Sequence, residues 1–383
     1  MMVRRRARML AAGALGLLFF ATACAGGEGV SVNLDQTKPF VLGGVSALTE
    51  IARLTGPGAI NDTVGVGVAG TDLGSMVNLD DTTYFLFGDT FGERDPDSIG
   101  GQGGNWRSNV VAWSTDADPT DGITFDGWAV DEFGLAAPIV EGDHDANDFG
   151  GEVTKIPTYG FAVDGSLYAF FMSVSHWGEP GAWDANYAAL ARSDDEGRSW
   201  HELAQPRWPG GSNTIQVATA HVDDPDGAQI YFWTIPAGRF GSVDLMRVAD
   251  RREAVEDASA YQYYSGVGAD GTPQWSGSAA DAEHVVEGTI GELSVMFSTY
   301  LDRWVMTYSD AGNAYIREGI TPWGSWGEPI ELVSGKKFPG LYAPFLNPRY
   351  VTDGGRTIYF TLSLWGPYNV FWFSADLNRL ATH

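Results

Sequence analysis

Apolar and polar positions along this chain alternate with a period of two, and almost nowhere with the three-to-four spacing of an amphipathic helix. The best helical stretch, Asp250 to Ala260, is short and polar. What recurs is a β unit: a strand, a turn rich in Asp or Gly, an aromatic-rich strand, a loop and a third strand, often with a fourth. Aromatic second strands are expected at Thr83–Gly88, Leu167–Ser173, Ile230–Ile235, Trp304–Tyr308 and Ile358–Leu364. The turns before them are Asp80-Asp81, Asp164-Gly165, Asp223–Gly227, Leu301-Asp302 and Asp353-Gly354-Gly355. Third strands should follow at Asn109–Ser114, Tyr187–Arg192, Val243–Val248, Ala314–Arg317 and Val370–Ser374.

Five such units predict an all-β chain folded as a five-bladed β-propeller. The last unit runs out near Leu377 without a fourth strand, whereas Phe40–Leu54 precedes the first unit and opens like a strand. That segment is expected to supply the missing outer strand and close the ring, which removes exposed sheet edges. Blades cannot bury their faces alone, so residues 40–383 should form one domain. Ser193-Asp194-Asp195-Glu196-Gly197-Arg198-Ser199-Trp200 fits the Asp-box pattern Ser-x-Asp-x-Gly-x-x-Trp. It is expected to be a structural turn between a third and a fourth strand.

The amino terminus adds a compartment. Arg4, Arg5, Arg6 and Arg8 precede the apolar run Met9 to Phe20, and Ala21-Thr22-Ala23 offers a cleavage site. Residues 1–23 therefore read as an export signal, too short to span a membrane. Cys24, the single cysteine, follows at the position where a bacterial lipoprotein carries its lipid, with 24–39 as a tether. The expected location is the cell envelope, lipid-anchored on the outer face of the cytoplasmic membrane, or secreted. One cysteine allows no internal disulfide, so stability rests on packing. The chain carries 49 acidic against 23 basic residues, a formal −26. Nucleic acid and anionic lipid are poor partners for such a body, and a neutral substrate fits better. A monomer is expected.

Chemistry concentrates where the units begin. Asp72 and Asp89 stand at the two ends of one predicted hairpin, in Gly70-Thr71-Asp72-Leu73-Gly74 and Phe87-Gly88-Asp89-Thr90-Phe91. In an antiparallel pair those ends lie together, so both carboxylates should face one rim. Other units begin near Glu152, Thr214 to Gln216, Glu292 and Tyr342. Loops after the second strands carry Trp106, Arg107, Asn109, His176, Trp177, Arg239, Trp365, Tyr368 and Asn369. These, with Glu152, Glu292 and Tyr342, are the candidate substrate-binding set around a catalytic Asp72 and Asp89. Carboxylates can protonate a leaving oxygen, activate water or attack an anomeric carbon, and tryptophans offer flat faces for sugar rings. No His/Cys metal spacing, Gly-x-Ser-x-Gly, P-loop or dinucleotide fingerprint stands in a suitable context, and no cofactor is expected. Asp143 to Asp148 looks like a calcium loop but lacks Gly at the sixth position and Glu at the twelfth, where Thr154 stands. Glycoside hydrolysis is the reaction class that fits. An alternative set for it is Asp72, Glu152 and Glu292, and a non-catalytic glycan-binding or scaffold propeller is the other alternative.

Gly-Thr-Asp-Leu-Gly (70–74), Phe-Gly-Asp-Thr-Phe (87–91), Trp-Arg-Ser-Asn-Val (106–110), Pro-x-Gly-Arg (236–239) and Tyr-Ala-Pro-Phe-Leu-Asn-Pro (342–348) occur in order along the chain. In these motifs the chain resembles the family long called domain of unknown function 4185, grouped as glycoside hydrolase family 183. The resemblance covers residues 40 to 377. It implies a five-bladed propeller and endo-D-arabinanase activity on the D-arabinan of mycobacterial arabinogalactan and lipoarabinomannan. It also implies that Asp72 and Asp89 are the catalytic pair. One would be the general acid, with a weak lean to Asp89 because it follows an apolar strand. The other would be nucleophile or base.

Overall fold

A computed structural model describes residues 29–31 and 40–382. The signal segment, Cys24 and most of the tether lie outside the described residues. The structure is all-β, and its strands group into successive antiparallel units. The first unit is built from Leu73–Leu79, Thr82–Phe87, Val110–Ser114 and Gly127–Trp128. The second uses Thr154–Val163, Ser166–Trp177, Trp183–Ser193 and His201–Pro209. In the fourth, Leu293–Ser298, Arg303–Asp310 and Asn313–Thr321 are followed by Gly324–Trp326 and Ile330–Val333, both on the third strand. The last runs Leu341–Thr352, Thr357–Leu364, Asn369–Ala381, with Phe40–Arg53 as its outer strand.

All five aromatic strands form where alternation placed them, because each turn before them favours reversal. Asp80, Asp164, Asp302 and Asp353 all adopt positive φ, a conformation that Asp tolerates better than most residues.

The expectation of five blades needs correcting at the third unit: four units have propeller-blade form. The third instead belongs to a seven-stranded sheet. Gln216–Asp224, Gly227–Ile235 and Gly241–Ala249 open it regularly, and Gln262–Val267 and Pro273–Ser276 then extend it outward. Val286–Ile290 pairs separately with Gly241–Ala249, and Val30–Ser31 runs parallel to Val222–Asp223. A single helical turn, Arg252–Val255, lies between the third strand and Gln262–Val267, which returns antiparallel beside it at Met246 and Arg247 and is followed by a further strand.

Large aromatics join the units. Trp233, Trp304 and Trp372 are fully buried, and Trp233 meets Trp304 of the next unit at 5.5 Å between ring centres. The indoles of Trp233 and Trp372 donate to the carbonyls of Pro322 and Pro119, each at 2.9 Å, so burial leaves no polar atom unmatched there. The first strands pack side by side: that of the first unit against the second, then second on third, third on fourth, fourth on last, and last on first. Asn78 and Asn347 exchange amide hydrogen bonds of 3.0 Å in both directions across the last of these contacts.

The Asp box lies in the turn from Trp183–Ser193 to His201–Pro209. Asp195 accepts from the Ser199 backbone N–H at 2.9 Å, and the Trp200 indole donates to the Gly197 carbonyl at 2.9 Å. It closes a turn and carries no chemistry.

Candidate active site

The first hairpin brings the two aspartates to one end. Leu73 pairs with Phe87, and the Gly88 N–H donates to the Asp72 carbonyl at 3.1 Å. A β-carbon on Gly88 would stand 2.3 Å from Asp72 Oδ1. Glycine is required there because the Asp72 carboxylate occupies that space, next to Asp89. A bulge after Asp72 re-aims its side chain, with Leu73 at φ 65° and a register shift before Ser75. A bulky residue in the left-handed region costs about 1–2 kcal/mol. It is held by the Leu73 N–H, which donates to Ser363 Oγ at 2.9 Å. The last unit repeats the device: Ala343, after Tyr342, has φ 56°, and its N–H donates to Ser309 Oγ at 3.0 Å. The two bulged strands meet where the Tyr342 hydroxyl donates to Asp72 Oδ2 at 2.9 Å.

Asp89 is buried, and its Oδ1 accepts from the Trp106 indole at 2.7 Å and the Thr154 hydroxyl at 2.6 Å. Asp72 Oδ1 is also buried but has no hydrogen-bond partner. Burial pushes both carboxyls up to about 7. The Glu292 charge raises Asp72 further and the Asp72 charge raises Asp89, against the pull of their hydroxyl and indole donors. Burial, then the Asp72 charge, pushes the Tyr342 and Tyr368 hydroxyls well above the usual tyrosine range. They stay protonated, and Tyr342 remains a donor, throughout neutral pH.

These shifts set a testable stability term. A carboxyl with a folded pKa near 7 and an unfolded value of 3.8 favours folding while protonated. That contribution is complete below pH ~4 and is lost as pH rises through ~7. Asp89→Asn, which never ionises, should therefore gain stability over the parent as pH increases. The expected difference is small near pH 4 and reaches about 2–4 kcal/mol above pH 7. Urea melts across that range would show it, and a pH-independent difference would refute the shift.

Around this pair the third and fourth units supply an ion pair. Gln216 donates from its side-chain amide to the carbonyls of Pro236 and Gly238, at 2.9 and 2.8 Å, and so fixes the loop that presents Arg239. Arg239 grips Glu292 through Nε at 2.9 and 3.0 Å and through Nη2 at 2.6 Å. Its guanidinium lies 5.1 Å from the Tyr342 ring centre. Glu152 belongs to another network. It accepts from Ser173 Oγ at 2.5 Å and lies 3.4 Å from Lys155.

Three expected ligand contacts do not form a binding surface. Arg107 is buried and donates to the carbonyls of Ala136 and Gly67. Asn109 pins the 139–140 backbone and the Lys155 carbonyl with both ends of its amide. Asn369 accepts from Thr55 and donates to the Pro367 carbonyl. Each is a polar residue buried among loop backbones. Trp106, Tyr342 and Tyr368 gather at the aspartates, and Trp365 stands half-exposed against Tyr368. His176 stacks on Phe149, and Trp177 meets Trp183.

Other residues of the site give no local sign in the sequence. Thr154 begins an ordinary strand. Arg94 lies over the Tyr368 ring at 5.5 Å and ties down the carbonyls of Gly100 and Gln102. His144, from the acidic loop, stacks on Trp106 at 3.9 Å and contacts Glu141 at 2.5 Å. Among the described residues no group of three or more His, Cys, Asp and Glu side chains is placed to hold a metal ion.

The sequence profile of the family described as domain of unknown function (DUF4185) matches residues 58–374. A search of curated protein sequences finds no match. Among solved structures, one from Bacteroides ovatus, whose hydrolase assignment is itself provisional, superposes with TM-score 0.55 at 14% identity, covering 81% of this chain and 86% of that one. A family 117 glycoside hydrolase from Zobellia galactanivorans gives 0.47 at 10% identity, over 88% and 91% of the two chains. The RS223 β-xylosidase gives 0.45 at 12%, over 82% and 94%. At such identities the first likeness is one of fold alone, and the other two carry no further weight.

Proposed function

The chain belongs to the DUF4185 family, and we propose that it is an exported glycoside hydrolase that cuts within D-arabinan chains, with Asp72 and Asp89 as its acid and base. The observation that carries this reading is the pair itself: two carboxyls at one hairpin end, both raised to about 7. Like charges resist simultaneous ionisation, so near neutrality the pair holds one proton. That is the state in which one group protonates the leaving oxygen while the other acts as base or nucleophile.

Asp89 Oδ1 is held by two neutral donors, which favour its charged form. Asp72 Oδ2 accepts from Tyr342, which also favours the charged form, but its buried Oδ1 has no partner, which favours the protonated form. On that unpartnered oxygen we read Asp72 as the acid, against the lean to Asp89 from the sequence. The kcat/KM profile should therefore fall on both sides of about pH 7, with both groups protonated below and both ionised above. A flat profile from pH 5 to 9 would refute a titrating pair.

The rival set of Asp72, Glu152 and Glu292 is less favoured. Glu292 is locked to Arg239, and Glu152 is held by Ser173 and Lys155. The substrate class comes from the family motifs, and the export signal agrees with a polymer outside the cell. Lipid attachment at Cys24 would keep the domain near the envelope. Closure of the ring is supported by the packing of the last unit against the first and by Phe40–Arg53 as outer strand. The test is a panel of polysaccharides: D-arabinan, L-arabinan and galactan, each followed by chromatography of released oligosaccharides. Release from D-arabinan alone fits the reading. Release only from another glycan would keep the enzyme and replace the substrate.

A further inference from the structure

Beyond the aspartate pair, the rim carries aromatic surface with no role in that pair's chemistry. Arg239 engages Glu292 through Nε and Nη2, and its Nη1 has no protein hydrogen bond among the described residues. On its far side the guanidinium faces Trp183 at 5.6 Å. Trp183 pairs with Trp177 across the second hairpin, their ring centres 5.7 Å apart. Asn147 clamps the backbone of Trp177 from both sides, accepting from its N–H at 2.6 Å and donating to its carbonyl at 2.9 Å. This fastens the loop after the acidic stretch to the hairpin end.

That loop then does something costly. Phe149 adopts φ 67°, which an aromatic L-residue avoids, and the residue is 64% exposed although its ring stacks on His176 at 3.6 Å. Neither His176 Nδ1 nor Trp183 Nε1 has a protein partner. Backbone strain, an exposed ring and the free Nη1 of Arg239 together suit a ligand with apolar faces and hydroxyl edges. A sugar ring has both.

We propose that the hairpin end carrying Arg239, Trp183 and Trp177 on one face, and His176 with Phe149 on the other, is a distal subsite for neutral sugar residues of the same polysaccharide. The proposal rests on the glycan reading above and deepens it. Sugar faces stack on the aromatic rings, and Arg239 Nη1 donates to a hydroxyl. Contact of Arg239 with both Tyr342 and Trp183 makes the subsite continuous with the aspartate pair. A chain bound there extends past the reacting linkage, which favours attack within polymers over attack at ends.

The test uses Asp89→Asn protein, titrated by calorimetry with a D-arabinan disaccharide and with polymeric D-arabinan. The polymer should bind about tenfold more tightly per site. Trp183→Ala in that background should lower polymer affinity about fivefold and bring the polymer-to-disaccharide ratio close to one. Phe149→Ala, which removes a largely exposed ring stacked on His176, should do the same, with a urea melt to show that the fold is kept. Val267→Ala, on an outer strand, should change nothing. A ratio unmoved in both aromatic variants overturns the subsite, as does absence of polymer binding. Polymer binding that the unsubstituted protein fails to convert into cleavage would overturn the hydrolase reading and leave the subsite standing. Cleavage with an unmoved ratio would do the reverse.

Discussion

Asp89→Asn and Asp72→Asn are each expected to lower kcat by about a hundred- to ten-thousandfold, with the fold preserved. The expectation follows from how each carboxylate is held. Asp89 Oδ1 is fixed by Trp106 and Thr154, and an asparagine oxygen can accept the same two hydrogen bonds. Asp72 Oδ2 is fixed by Tyr342, which an asparagine oxygen can also accept. The amide keeps each position filled but removes its ability to carry a proton or a charge. Because the two act as a unit, the double variant should lose little more than the worse single one. Circular dichroism and urea melts would separate lost chemistry from lost folding. If either single variant kept full activity on D-arabinan, that residue would be excluded from the reaction.

The second large effect concerns the ion pair beside the aspartates. Arg239→Met leaves Glu292, 7% exposed, as an unpaired buried charge. Breaking a buried pair from one side costs about 3–5 kcal/mol, and the partial exposure of Arg239 reduces this to about 2–4 kcal/mol. Adding Glu292→Gln should recover most of that loss, since both charges are then gone. Catalysis should respond differently. Arg239 lowers the Asp72 carboxyl and Glu292 raises it. Losing the arginine alone moves the Asp72 titration upward, so the alkaline limb of the activity profile should shift to higher pH. Equal stability in single and double variants would show that the ion pair does not hold this rim together.

Much of this site is legible in the sequence, because its logic is local. Asp80 and Asp81 turn the first hairpin, the strand from Thr82 to Phe87 alternates, and the ends of one hairpin must meet. Tyr342 and Glu292 are legible for the same reason: each stands at the start of a repeated unit. What the sequence hides depends on where long loops return. Arg107, Asn109 and Asn369 look like ligands in a loop-rich sequence, yet each is consumed by a backbone that passes nearby. Segments 136–140 and 67–69 have no alternation to predict their paths. The third unit departs from a four-stranded blade because Pro273–Ser276, Val286–Ile290 and Val30–Ser31 add to its sheet, and no periodicity in those short segments predicts this. His144 and Phe149 are hidden inside an acidic loop, where nothing local shows that one ring covers Trp106 and the other His176. Thr154 escapes notice because a single hydroxyl at a strand start carries no pattern.

The most direct test of catalysis by the aspartate pair is the appearance of new reducing ends when the unsubstituted protein is incubated with purified D-arabinan at neutral pH. Reducing ends that rise together with oligosaccharides of intermediate size would show internal cleavage, as an acid–base pair on this hairpin predicts. A polymer that binds but keeps its length and its reducing-end count through prolonged incubation would rule out hydrolysis by the pair.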